Sequence, residues 1–168
     1  MQQKGRAWER VRFPLELTSY RMSHHMEPPR VVLDTSVIVA GLRSRLGASN
    51  RLLEFVAEER LVPLATTALF LEYEEVLKRP EQRLATGMDE KDIAGFMAAF
   101  ASAAEPVEVH FLWRPQLADP DDEIVLEAAV NGRSKVIVTH NVRDFEPVAG
   151  EFGIEVVTPG TFLKRITP

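Results

Sequence analysis

Acidic and hydroxyl side chains follow short apolar runs at three places in the sequence, and these residue types are suited to holding a divalent cation. An ionised carboxylate at the end of an apolar run, such as that of Asp34, is almost never buried without a partner. Carboxylates close together repel one another, so they need protons or a bound cation. Oxygen ligands favour Mg²⁺ or Mn²⁺, and such a cation can activate water against a phosphodiester. The three segments are residues 34–36, 119–123 and 139–144.

The predicted fold explains how segments so far apart in the chain can meet. Strands alternate with helices, which indicates parallel strands joined by right-handed crossovers. The carboxyl ends of parallel strands share one edge of the sheet, where open α/β folds place their chemistry. We therefore predict a three-layer α/β/α domain with a central, mainly parallel sheet of about five strands. The predicted strands are residues 31–34, 61–65, 106–112, 136–139 and 154–157.

Helices are predicted between these strands from apolar residues spaced three or four positions apart and from residues that favour helix starts. Ser49 is expected to cap a helix that buries residues 52–56. The threonine pair at 66–67 precedes a second helix, residues 68–79, which Pro80 is expected to end. Further helices are predicted from about residue 89 to 100, from the acidic turn at 119–123 to 131, and from 158 to 166.

Length and composition favour a single domain. The chain has 168 residues, of which 45% are hydrophobic and 27% charged, as in an ordinary globular protein. No apolar run approaches the ~20 residues that a membrane helix requires, so we expect a cytoplasmic protein with no membrane partner. The absence of cysteine excludes disulfides and thiolate zinc sites. The net charge of −5 argues against broad electrostatic binding of nucleic acid but allows a small local contact.

The first 30 residues differ from the rest of the chain. They carry basic residues early and show no sustained apolar periodicity, and they lack the uninterrupted apolar centre of a signal peptide. We expect residues 1–30 to be a poorly ordered N-terminal extension and residues 31–168 to form the domain.

A further acid can come from the helix predicted at residues 68–79, which carries Glu72, Glu74 and Glu75. At about 100° per residue, Glu72 and Glu74 lie on the two borders of its apolar face, whereas Glu75 points away. Periodicity does not choose between Glu72 and Glu74. The alternative is that all three are solvated charges on the helix surface.

Four segments of the sequence resemble the successive motifs of PIN-domain nucleases. The likeness extends over about residues 30–166, and the closest similarity is to PIN-family toxin components of bacterial and archaeal toxin–antitoxin pairs, relatives of the VapC toxins. The resemblance implies a ribonuclease dependent on Mg²⁺ or Mn²⁺, with a central parallel sheet and an acidic quartet. The four segments are residues 31–36, 72–80, 119–123 and 139–145.

The resemblance also implies which acids form the quartet. Glu72 is preferred to Glu74 because it leads the Glu-x-x-x-Val-Leu pattern. Asp122 is preferred as the third acid because it lies closest to the predicted helix. The implied catalytic acids are Asp34, Glu72, Asp122 and Asp144, and the implied metal ligands are Asp34, Asp122 and Asp144, with Asp121 and Asp119 as alternatives for the third acid.

Polar residues near these acids are similar to the family's supporting residues, which orient water, phosphate or carboxylates. They are Thr35, Ser36, Thr139 and Asn141, and Ser36 stands where many relatives have Asn. Arg43 and Arg143 are candidates to hold the RNA backbone. The family further implies an RNA substrate, a homodimer and a cognate antitoxin protein, for which Leu71 is a candidate contact.

Three other functions match parts of this pattern. A PIN-like module can bind RNA or a partner without cleaving, and the sequence does not separate this from a nuclease. A receiver-like domain would use Asp34 as a phosphate acceptor, but it needs a lysine after the last strand and Lys164 lies too far into the final helix. A haloacid-dehalogenase-like phosphatase needs a second acid where Ser36 stands.

Overall fold

One parallel sheet forms the centre of the molecule. The computed structural model describes Val11 and residues 27–112 and 116–168. Within these residues, five strands pair in the order β3-β2-β1-β4-β5, and every pairing is parallel. Helices flank the sheet, so the predicted three-layer α/β/α architecture is confirmed. The strands are β1 (Arg30–Leu33), β2 (Val62–Ala65), β3 (Glu105–Pro106), β4 (Val136–Val138) and β5 (Glu155–Val157).

Eight α-helices lie within the described residues: two follow β1, three follow β2, and one follows each of β3, β4 and β5. No helix among them is long and apolar enough to cross a membrane. They are α1 (Thr35–Arg43), α2 (Ala48–Ala57), α3 (Thr67–Lys78), α4 (Pro80–Thr86), α5 (Glu90–Ala103), α6 (Pro120–Asn131), α7 (Val142–Ala149) and α8 (Pro159–Ile166).

The central strand β1 places the acid that follows it at the carboxyl edge of the sheet. Its apolar residues are buried, with Val32 and Leu33 fully so. Leu33 pairs with Val138 of β4, so the residues that follow these two strands emerge side by side. The backbone N–H of Asp34 donates to the carbonyl of Val138 at 2.9 Å, which extends the pairing by one residue. Asp34 and Thr139 are therefore neighbours at this edge.

Three helices, α1, α4 and α7, were not expected from the sequence, because their local signals were weak or misleading; α7, for example, contains Pro147 in its interior. α1 begins with β-branched residues of modest helix propensity, but it buries Val37 and Ile38 completely, and this packing outweighs the propensity. Pro80 ends α3 as predicted, and it also begins α4, because a proline at the first helical position loses no hydrogen bond. α4 ends at Gly87, whose φ of 69° is easily adopted without a side chain.

The expectations for residues 106–112 and for Ser49 were wrong. Only Glu105 and Pro106 pair as a strand. The N–H of Val107 still donates to the carbonyl of Ala65 at 2.9 Å, but at residues 110 and 111 the backbone groups that a longer strand would use are bound by the side chain of Asn131. Its Oδ1 accepts the N–H groups of His110 and Phe111. Ser49 does not cap α2, since Gly47 occupies the N-cap position and Ser49 lies inside the helix.

The predicted N-terminal extension lies mostly outside the described residues. Of this segment the structure describes Val11, which is buried in the hydrophobic core, and residues 27–30. Arg30 already belongs to β1 and pairs with Glu105 of β3. The extension's lack of order stays a prediction.

Candidate active site

The carboxylate of Asp34 is buried at the carboxyl edge of the sheet. Asp34 is the N-cap residue of α1, yet its side chain makes no capping hydrogen bond. Its Oδ2 instead accepts from Ser36 Oγ at 2.5 Å and from Thr139 Oγ1 at 2.8 Å. The side chain is 6% exposed. Two hydroxyl donors on one oxygen fix the orientation of a buried carboxylate in the way that a metal ligand requires.

The β4–α7 turn, residues 139–141, wraps around this carboxylate. Thr139 is fully buried, and its Oγ1 also accepts the backbone N–H of Asn141 at 2.9 Å. Asn141 is the N-cap residue of α7, but its exposed side chain makes no capping bond. Asp144 lies in the first turn of α7 and is exposed. The predicted supporting residues Ser36 and Thr139 therefore contact Asp34 directly.

Glu72 faces this site from α3. Its Oε1 accepts a hydrogen bond from Thr35 Oγ1 at 2.6 Å, which joins α3 to the start of α1. Its Oε2 is buried and has no hydrogen-bond partner among the described residues. Burial raises the pKa of Glu72; the bond from Thr35 opposes this, and the charges of Asp121 and Asp34 add to the rise. An orphaned, buried carboxylate oxygen is the kind of atom that a cation or a bound water would satisfy.

The other two glutamates of α3 have surface partners. Glu74 pairs with Lys78 at 2.6 Å, and Glu75 pairs with Arg79 at 3.4 Å. Of the three glutamates of α3, the structure therefore brings Glu72 into contact with Thr35 at the site, and not Glu74 or Glu75. Periodicity had left Glu72 and Glu74 equivalent, because both border the same apolar face.

The carboxylates of the acidic turn before α6 have different structural roles. Asp119 is the N-cap residue and accepts the backbone N–H of Asp121 at 2.9 Å. Glu123 is buried and accepts the N–H groups of Gln116 and Leu117, so it anchors the loop that leads into the helix. Asp122 lies in the same turn and is half-buried. The turn thus combines helix capping, loop anchoring and a side chain turned toward the other acids.

Asp122 is electrostatically coupled to the acids at the sheet edge. Burial raises its pKa to about 6, and the charges of Asp34, Asp119, Asp144 and Asp121 contribute in that order. A charge raises the pKa of a neighbouring carboxyl only over a short distance, because solvent screens distant charges. Asp34, which follows β1, and Asp144 of α7 therefore both lie within electrostatic range of Asp122 in α6.

Three helices direct their N-termini toward this acidic region, since Asp34, Asp119 and Asn141 are the N-cap residues of α1, α6 and α7. The positive end of each helix dipole reduces the cost of gathering carboxylates and favours an anionic group such as a phosphate. The acids present a donor set of oxygen atoms alone, which fits Mg²⁺ or Mn²⁺. Among residues 27–112 and 116–168, no three acidic or histidine side chains are yet arranged as a metal cage.

The two candidate arginines lie in different places. Arg143 is exposed beside Asp144 at the start of α7. Arg43 lies in the last turn of α1, about 13 Å along the helix axis from Asp34 at 1.5 Å per residue. The structure brings Arg143 to the acidic region and leaves Arg43 at the opposite end of its helix.

Two contacts of the site were missed by the sequence reasoning. Tyr73, next to Glu72, is buried and its hydroxyl donates to the carbonyl of Leu33, which fixes α3 to the end of β1. Burial raises the pKa of this phenol well above its usual value. His140 Nε2 lies 3.0 Å from Ser49 Oγ, which joins the β4–α7 turn to α2. A polar residue within an apolar helical face, as Ser49 is, was the available signal for the second contact.

The comparison with known protein families agrees with this geometry. A family model described as a PIN domain matches residues 30–143, which is more than half of the chain. The chain belongs to the PIN-domain family. PIN domains are generally nucleases that act on nucleic acids. No curated protein matches the chain.

The family match covers most of the candidate site but stops short of Asp144. The matched residues include β1 with Asp34, α3 with Glu72, and the acidic turn before α6. The match ends at Arg143, one residue before Asp144. The assignment of Asp144 to the site therefore depends on its position in α7 and on its contribution to the raised pKa of Asp122.

Proposed function

We propose that this PIN domain is a metal-dependent endoribonuclease that hydrolyses RNA phosphodiester bonds. The observation that supports this most strongly is the pKa of Asp122, raised to about 6 by burial and by acids from its own turn and from two other places in the chain. A protein gains nothing in stability from gathering repelling carboxylates, and strongly perturbed carboxylates are typical of functional sites. The PIN-domain family makes a nuclease the corresponding activity.

Each acid has a distinct role in the proposed reaction. Asp34, Asp122 and Asp144 would hold Mg²⁺ or Mn²⁺, with Asp121 and Asp119 close enough in sequence to assist. The bound cation supplies Lewis-acid polarisation of a phosphate oxygen and lowers the pKa of bound water. Glu72 is held by Thr35 through Oε1, which leaves Oε2 to accept a proton from the attacking water.

The supporting residues keep these groups in position. Ser36 and Thr139 hold Asp34 by donating to its Oδ2, and Thr35 holds Glu72. The exposed amide of Asn141 can donate to a phosphate or to water at the start of α7. Arg143, exposed one residue before Asp144, is the better placed arginine to contact an RNA phosphate.

The likeness to PIN-family toxins supports a biological setting for this activity. We propose that the protein is the toxin of a toxin–antitoxin pair, that it acts in the cytoplasm as a homodimer, and that a cognate antitoxin blocks the site. Leu71, 55% exposed on α3 one residue before Glu72, is a candidate for the antitoxin contact. An antitoxin segment bound there would lie directly beside the acidic region.

The test is cleavage of labelled RNA by the purified protein with EDTA, Mg²⁺ or Mn²⁺, beside the variant Asp34→Asn. We expect cleavage that needs the cation and that falls by more than about 100-fold in the variant, as for loss of a metal ligand or catalytic acid. RNA binding without cleavage in either cation would favour a non-cleaving module. Cleavage that is equal in Asp34→Asn would contradict the assignment of the site.

A further inference from the structure

His140 is exposed, but it is fixed at two points in the fold. Its backbone N–H donates to Ser36 Oγ at 3.3 Å, and its ring Nε2 lies 3.0 Å from Ser49 Oγ. Ser49 is 3% exposed, inside α2. An exposed histidine with one buried hydroxyl partner is more constrained than a surface imidazole normally is, because the buried partner cannot move to follow it.

The three residues of the β4–α7 turn each donate into the network around Asp34. Thr139 donates its hydroxyl to Asp34, and Asn141 donates its N–H to Thr139. His140 donates its N–H to Ser36, whose hydroxyl in turn donates to Asp34. The bonds made by Thr139, His140 and Asn141 depend on the position of the turn. The contact between His140 and Ser49 ties the turn to α2, whereas the bond to Ser36 ties it to α1.

We infer that His140, held by Ser49, is a positioning residue of the proposed nuclease site. The pair fixes the β4–α7 turn against α2, so that Ser36 and Thr139 keep Asp34 in one orientation and α7 presents Asp144 toward it. The inference rests on the proposed function for its consequences on metal binding and cleavage. The positioning of the turn itself can be measured without either.

The test compares His140→Ala, Ser49→Ala and the double variant with the wild-type protein. His140→Gln is the conservative variant, because its terminal amide can occupy the place of Nε2. His110→Ala is the matched control: His110 is also exposed, and its ring is near Glu108 at 3.7 Å on the connection after β3. Three quantities are measured: amide hydrogen exchange at residues 140 and 141, the Kd for Mn²⁺, and kcat and KM for RNA cleavage.

We expect His140→Ala to speed hydrogen exchange at the amides of residues 140 and 141 about fivefold or more. Without the contact to Ser49, the turn would no longer hold these two N–H groups against their acceptors. The Kd for Mn²⁺ should rise about tenfold, as is typical when a residue supporting a metal ligand is removed. The kcat should fall with KM changed less than about twofold, because the residue acts on Asp34 and not on RNA. Ser49→Ala and the double variant should match His140→Ala, and His140→Gln should restore most of the loss.

Unchanged exchange at residues 140 and 141 in His140→Ala would overturn the inference, whatever the activity. So would a Kd for Mn²⁺ equal to that of His110→Ala, or additive effects in the double variant. A wild-type protein that neither binds Mn²⁺ nor cleaves RNA would instead refute the proposed function, and the exchange rates would still decide whether the pair positions the turn.

Discussion

Replacing Asp122 by Asn should make the metal-free protein more stable at neutral pH. The pKa of Asp122 rises from its ordinary value of 3.8 to about 6 because burial and neighbouring acids disfavour its charged form. A rise of about two units corresponds to about 3 kcal/mol for a fully buried group. Asp122 is half-buried and solvent screens its neighbours, so we expect roughly 1 to 2 kcal/mol. Asparagine keeps the shape of the side chain and removes the charge.

The direction of the pKa shift determines how the stability gain of Asp122→Asn depends on pH. Folded Asp122 holds its proton to a higher pH than the unfolded chain does, so the wild-type protein loses stability as pH rises from about 4 through about 6. The advantage of Asp122→Asn should therefore be absent below about pH 4 and complete above about pH 7. In melting temperature the gain should be about 2 to 6 °C for a chain of this size.

The assay is thermal or urea unfolding in EDTA between pH 4 and pH 8. Glu123→Gln is the matched control, because it makes the same chemical change at the next residue. The carboxylate of Glu123 accepts two backbone N–H groups, so its neutralisation should destabilise the protein by about 1 kcal/mol. An Asp122→Asn protein that is less stable than wild type at pH 7.5, or whose difference does not change with pH, would refute the reasoning.

Three further predictions follow from the site. Glu72→Gln should reduce the rate of RNA cleavage by about 100-fold or more. In the same assay Glu74→Gln, which loses only an exposed ion pair with Lys78, should cleave within about twofold of the wild-type rate. Mn²⁺ at ten times its Kd should stabilise the wild-type protein by about 1.4 kcal/mol in thermal unfolding and should not stabilise Asp34→Asn. Tyr73→Phe should lower the free energy of unfolding in urea by about 1 kcal/mol or more, because the carbonyl of Leu33 loses its buried donor; an unchanged midpoint would contradict this.

The sheet and its chemical edge could be predicted because the relevant signals are local. Buried parallel strands appear as continuous apolar runs, so both ends of β1, β2, β4 and β5 were predicted to within one residue. Three helix starts were also expected from capping residues, and Thr66, Asp89 and Thr158 do cap α3, α5 and α8. The position of Asp34 beside Thr139 follows from these elements alone.

The features that were missed depend on tertiary contacts. α1 forms because its β-branched residues are buried against the rest of the fold, which local propensity does not report. The strand expected at residues 106–112 has the right alternation, but Asn131, about 20 residues away, binds its backbone. Glu72 and Glu74 have equivalent positions on the helical wheel, and only the contact with Thr35 distinguishes them.

The central claim is that acids from β1, α6 and α7 converge on one divalent cation beside Glu72. Anomalous diffraction from crystals soaked in Mn²⁺ tests it most directly, because it locates the ion without reference to activity. We predict a peak within about 2.1 to 2.3 Å of carboxylate oxygens of Asp34 and Asp122, at the carboxyl edge of the sheet. A protein that cleaves RNA with Mn²⁺ but shows its only peak away from these two residues would contradict the claim.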